Sequence, residues 1–150
     1  MGQIFVARRA NPWVGRGPGG SGGTGFFAYL SLAQGIYYVA SALWALLGVG
    51  TFQKVTGPKT DVWLVKTVGV LVAAIGGALG LAGFRRRETL EIGLLGAGSA
   101  SGLAGIDTYY VARGRISPVY GLDAVAEIVF LCGWIYVLVH RRGVKRRWKR

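Results

Sequence analysis

Four long, predominantly apolar stretches, at about residues 26–50, 62–84, 92–112 and 124–140, constrain this chain more than any other feature of its sequence. Each holds roughly 17–25 residues, the length an α-helix needs to cross a hydrocarbon core of about 30 Å. Charged residues fall in short clusters between and beyond these stretches. They make up 16% of the chain, where soluble domains average about 25%, and mean hydropathy is +0.42. The expected fold is all-α: an integral membrane four-helix bundle in a single domain of 150 residues.

The charge distribution predicts orientation. Of eighteen Lys and Arg, thirteen lie in three places: the N-terminal tail (Arg8, Arg9, Arg16), one loop (Arg85, Arg86, Arg87) and the C-terminal tail (Arg141, Arg142, Lys145, Arg146, Arg147, Lys149, Arg150). Four spans put those regions on one side, and the excess of basic residues marks that side as cytoplasmic. Both termini are therefore expected inside. Lys54, Lys59, Arg113 and Arg115 are expected outside. The net charge of +12 then reads as topology signal and attraction to anionic lipid headgroups, not as a nucleic-acid surface.

Residues 1–25 are glycine-rich and basic and read as a cytoplasmic tail; residues 141–150 read as a second. The apolar patch Ile4-Phe5-Val6 is too short for a signal-peptide core. In the first span Gln34, Tyr37, Tyr38 and Ser41 need hydrogen-bond partners, so their face is expected to look into the bundle. The segment TFQKVTGPKTD reads as a loop, with Thr60 or Asp61 capping the second span. The segment RGRISPVYGLD reads as another, with Asp123 capping the fourth.

Small residues recur at close-packing spacing. Gly69, Ala73 and Gly77 lie four apart, and Gly76 with Gly80 forms a GxxxG pair. The third span is nearly all small residues and carries a second pair, Gly98 and Gly102. Such pairs let helix backbones approach closely, so the third span is expected against the second. The same spacing is compatible with a homo-oligomer. The lone cysteine, Cys132, reads as a small buried hydrophobe.

Ionisable residues within spans are costly and usually paired or functional. Lys66, Asp107 and Glu127 each lie about one turn inside the outer end of a different span, and Asp123 shares a helix face with Glu127. With Tyr110, Arg113 and Arg115 nearby, they form the expected outer-side polar cluster. It is either an ion-paired lock, Lys66 to Asp107 or Glu127, or a pocket for a small molecule, lipid headgroup or proton. No Ser-His-Asp or Cys-His arrangement can be assembled. One histidine, His140, supports neither a metal centre nor a bis-histidine haem. No cofactor and no catalytic residue is expected.

Two segments, TFQKVTGPKTDVWLVKTVGVL and GRISPVYGLDAVAE, resemble parts of small uncharacterised bacterial four-span membrane proteins. In gross layout alone the chain is similar to DoxX-like four-helix proteins. The resemblance covers about residues 50–130, implies a bacterial inner membrane and carries no activity. The leading expectation is a non-catalytic accessory or scaffold subunit of a larger membrane complex, with other membrane-protein subunits as partners. The alternatives are a protein or enzyme that binds a quinone or lipid through the acidic cluster, and a proton-coupled transporter working as an oligomer.

Overall fold

The computed structural model describes residues 23–58, 60–87 and 89–147. These form five helices, α1 (Gly23–Leu47), α2 (Val49–Thr56), α3 (Val62–Phe84), α4 (Leu90–Ala112) and α5 (Tyr120–Arg147), with no strand among the described residues. Arg8, Arg9, Arg16, Lys59, Lys149 and Arg150 lie outside them. Three segments are long and apolar enough to cross a membrane: Gly25–Leu47, Val62–Phe84 and Tyr120–His140. They make this a multi-pass membrane protein by length and composition. Helix α4 equals α3 in length at 23 residues, but its glycines and serines leave it less apolar.

The surface agrees with a lipid setting. Ile36, Leu47, Leu71, Leu122 and Val129 are all exposed, while Ser31, Gln34, Asp107 and Glu127 are buried. A soluble domain solvates its carboxylates and leaves few large apolar side chains outside; here many large apolar side chains face outward and two carboxylates are buried.

Two antiparallel pairings dominate, α1 with α3 and α4 with α5, and α1 also touches α5 and α4. Absent side chains set the first pairing. A Cβ on Gly35 would lie 2.4 Å from the Gly80 nitrogen and 2.8 Å from the Gly76 carbonyl oxygen. One on Gly76 would lie 2.7 Å from the Tyr38 Cβ, and one on Gly83 2.7 Å from the Ala28 carbonyl oxygen. With Gly69 against Leu46, the α3 seam recurs every seven residues at Gly69, Gly76 and Gly83, the repeat of helices that wind around each other. In the second pairing Gly96 seats the Trp134 indole and Gly93 seats Leu138.

The expected packing of the third span on the second is thereby corrected: α4 lies chiefly along α5. A Cβ on Gly77, Gly98 or Gly102 would meet open space, as would one on Gly80, whose backbone instead receives Gly35. The 98/102 pair makes no close approach within the described chain.

Several boundaries also differ from expectation. The first helix ends at Leu47, not about residue 50, because the chain kinks at Gly48. The TFQKVT part of the expected loop is helical, as α2. Trp44 Nε1 donates to Thr51 Oγ1 at 3.1 Å, the Thr51 hydroxyl donates to the Gly48 carbonyl at 2.8 Å, and Trp44 packs edge-on to Phe52. Gly57, at φ 91, ends that helix before Pro58. Asp61 occupies the cap position of α3 without a side-chain hydrogen bond. Helix α5 begins at Tyr120, four residues before the expected 124. Ser117 and Pro118 start its first turn, their carbonyls accepting from the amides of Tyr120 and Gly121. Asp123 is thus no cap and is left to point inward. The same helix runs on to Arg147, through most of the expected C-terminal tail. Cys132, expected buried, is exposed.

Phe27, Leu79, Trp134 and Val137 form the apolar core, flanked by Leu30, Ile75, Ile92, Leu95 and Ala97. Phe27 meets Trp134 edge-on at 5.0 Å. This core fills the half of the bundle near the start of α1 and the end of α4's first turns. The opposite half holds the polar groups.

Candidate functional site

Three carboxylates meet where α1, α4 and α5 converge. Asp123 and Glu127 are four residues apart on α5, so they share one face. Asp107 approaches them from α4, near enough to Asp123 for the two carboxyls to interact. Asp107 and Glu127 are 7% and 1% exposed, and Asp123 is half-buried. From α1, the Tyr37 hydroxyl donates to Asp123 Oδ1, and the Tyr38 hydroxyl donates to Glu127 Oε2 at 2.9 Å.

Behind Tyr38 the hydrogen bonds have a fixed direction. An indole N–H can only donate, and Trp134 Nε1 donates to Gln34 Oε1 at 2.6 Å. That orients the Gln34 amide. Its Nε2 then donates towards Tyr38 Oη at 3.0 Å, the Gly96 carbonyl at 3.1 Å and Ser99 Oγ at 3.4 Å. With its oxygen accepting from Gln34, Tyr38 directs its own proton to Glu127. From Trp134 to Asp123 is eleven residues of α5, about 16 Å at 1.5 Å per residue. The column thus runs from one end of the bundle to about its middle, where the Phe27–Trp134 core closes it.

The column ends in acceptors. Asp107 Oδ2 and Glu127 Oε1 are buried without a hydrogen-bond partner. A buried ionised carboxylate without a counter-charge is strongly unfavourable. No described Lys or Arg supplies one. Lys66 is exposed on α3, which packs on α1, so it shares the carboxylates' depth but not their side of the bundle. Tyr110, Arg113 and Arg115 are exposed at the end of α4, where with Tyr109 and Ile116 they line a separate cavity of about 560 Å³. His140 stacks on Tyr136, 4.2 Å between ring centres. Nor do the described carboxylates converge as a three-ligand metal site.

The structure therefore divides the expected cluster. Asp107, Asp123 and Glu127 come together; Lys66 stands apart; Tyr110, Arg113 and Arg115 form a second group. It adds Gln34, Tyr37 and Tyr38, whose hydroxyls and amide mark the inward face of the first span. It also adds Ser99 and Trp134, for which an apolar stretch gives no local signal. Comparison with protein-family models, with curated proteins and with solved structures gives no match.

Proposed function

We propose that the chain is a four-helix membrane bundle in which α1, α3, α4 and α5 each cross a bacterial inner membrane, with both termini cytoplasmic. In this reading its three-carboxylate cluster is a proton-binding site reached from the opposite side. One observation carries it: two carboxylates more than nine-tenths buried, each with an unpartnered oxygen, and no described basic residue to balance them. Charge balance then calls for a proton. The ion-paired lock loses its support because Lys66 is exposed. A proton-coupled passage through one copy has little support, because the apolar core blocks the column halfway.

A proton arriving at or leaving this site alters the acceptors that Tyr37 and Tyr38 hold. Both tyrosines are on α1 and their acceptors are on α5, so protonation changes how tightly the α4–α5 pair docks on α1. The activity proposed is a proton-responsive conformational equilibrium, with no covalent chemistry. Infrared difference spectra of the protein in lipid, taken on acidification, test it. The expected result is a protonated-carboxyl C=O band that shifts or vanishes in Asp107→Asn and Glu127→Gln and persists in Asp61→Asn, at an exposed position. A band unchanged in both cluster variants would defeat the reading.

The accessory-subunit reading is favoured by a different feature. Gly98, Ser101, Gly102 and Gly105 are exposed along one face of α4, a surface suited to another helix and poor at contacting lipid. Untagged purification from native membranes, followed by mass spectrometry of the particle, separates the cases. Stoichiometric companions support the subunit role; recovery of the chain alone removes it.

A further inference from the structure

The cavity at the end of α4 has the opposite chemistry from the acid cluster. It is an open groove of about 560 Å³, lined by Tyr109, Tyr110, Arg113, Arg115 and Ile116. The backbone there is fixed. Gly114, at φ 63, takes the left-handed conformation that glycine tolerates best. Its amide donates to the Val111 carbonyl at 2.9 Å, and the Arg115 amide donates to the Tyr110 carbonyl at 3.0 Å. This paired closure of a helix end sets Arg113 and Arg115 on either side of one rigid turn, next to the two tyrosines. Arg113 lies over the Tyr109 ring at 5.0 Å, and that ring meets Tyr110 edge-on at 5.1 Å.

Every ionisable group lining the cavity is a hydrogen-bond donor, and none is a carboxylate. Two guanidinium charges also exceed the roughly half negative charge of a helix C-terminus. Planar guanidinium groups match the oxygens of a phosphate, and phenol hydroxyls add neutral donors. The surroundings are apolar. Ile106, one turn earlier on the same face of α4, is exposed, as are Val119 and Leu122 beyond Ile116. A free anion has no use for such a border, whereas an acyl chain does.

We propose that this cavity binds the phosphate of an anionic lipid headgroup, with Arg113 and Arg115 as its cationic ligands and Tyr109 and Tyr110 as its walls. The site is separate from the acid cluster and stands or falls without it.

The test uses the full chain in detergent micelles doped with phosphatidylglycerol or phosphatidylcholine, with retained lipid measured by native mass spectrometry. Phosphatidylglycerol is expected to be retained preferentially. At about fivefold per interfacial arginine, the Arg113→Gln/Arg115→Gln double variant should retain it about 30-fold less well. Lys54→Gln, an exposed cation on α2, should bind as the native protein does. If the double variant fails to fold, Arg115→Gln alone, which leaves the Arg113–Tyr109 contact, is expected to lose about fivefold. Displacement of phosphatidylglycerol by inorganic phosphate at equal ionic strength would overturn the lipid assignment in favour of free phosphate. Equal retention of the two lipids, or an equal loss in Lys54→Gln, would overturn the anion site itself.

Discussion

Replacing Gly35 by alanine adds one methyl group where two helix backbones touch. Its Cβ would sit 2.4 Å from the Gly80 nitrogen, 2.7 Å from the Gly80 Cα and 2.8 Å from the Gly76 carbonyl oxygen. Ordinary contact begins at 3.4 Å, and the obstructing atoms are backbone, which no rotamer change can clear. Helices α1 and α3 must therefore part by roughly 1 Å, loosening the seam at Gly76 and Gly83 as well. Overpacking of this kind costs up to about 3 kcal/mol, and alanine's better helix propensity returns about 1 kcal/mol. The net loss of about 2 kcal/mol corresponds to a melting temperature lower by about 4–8 °C for a chain of this size. Thermal unfolding in detergent, followed by circular dichroism, measures it. Gly77→Ala, on the same helix but facing open space, is the internal control and should melt at or above the native temperature. If Gly35→Ala melts with the native protein, the α1–α3 seam does not have the close approach described, and the packing argument fails.

Four further outcomes are expected. Gly98→Ala and Gly102→Ala should leave monomer stability unchanged or raise it by up to about 1 kcal/mol each; if they instead split a larger particle on size-exclusion chromatography, that face is an interface. Tyr38→Phe removes the donor to Glu127 and the acceptor from Gln34, and should destabilise by about 1–3 kcal/mol in denaturant titration, while Tyr29→Phe, at an exposed position, should have no effect. Arg86→Gly should stabilise by about 1 kcal/mol, because Arg86 holds a positive φ of 49° at the end of α3, provided unfolding is measured at high salt to suppress its charge. Ahead of the α4 span, hydrogen bonding to its own backbone amide and then to the Thr89 side chain holds the Glu91 carboxyl below its ordinary value. The stability it lends is in place above the ordinary carboxylate range and is lost as pH falls through the lowered value. Thr89→Ala, which also deletes the cap on the Ile92 amide, should cost about 1 kcal/mol at neutral pH and flatten that acid-side loss.

Axial position was far easier to read from the sequence than direction around a helix. The interval 62–84 matches α3 because charged and turn residues bracket an apolar run whose length the bilayer sets. Counting turns from the span ends likewise put Asp107, Asp123 and Glu127 at one level, and the helices bring them together. The same count put Lys66 there, yet Lys66 is exposed on α3. In a water-soluble helix a polar face reveals which side is outward. Beyond Lys66 and Thr67 helix α3 is apolar all round, so no such contrast exists there, and the seam at Gly69, Gly76 and Gly83 could not be told from Gly77 or from the 98/102 pair. Trp134 was invisible for another reason. Its indole is needed by Gln34, 100 residues away in the chain, and only the tertiary pairing of α1, α4 and α5 creates that need.

These polar groups also explain why α4, unlike α1, α3 and α5, holds no stretch apolar enough to cross a membrane by itself. Its buried side must stay small at Gly93 and Gly96 to seat Leu138 and the Trp134 indole, and must offer the Gly96 carbonyl and Asp107 to the column. Each choice lowers hydropathy, so α4 cannot gain much from entering lipid alone. Only seven residues separate α4 from α5, which has a mean hydropathy of 2.0 over its apolar window. In the proposed four-span arrangement, α4 and α5 must then enter the membrane as one hairpin, with Trp134 covering the glycines of α4. The connecting turn carries Arg113 and Arg115, and it crosses with the hairpin. Their phosphate partner would be met only after that crossing, so an anionic headgroup in the far leaflet would hold the hairpin in place as well as occupy the cavity.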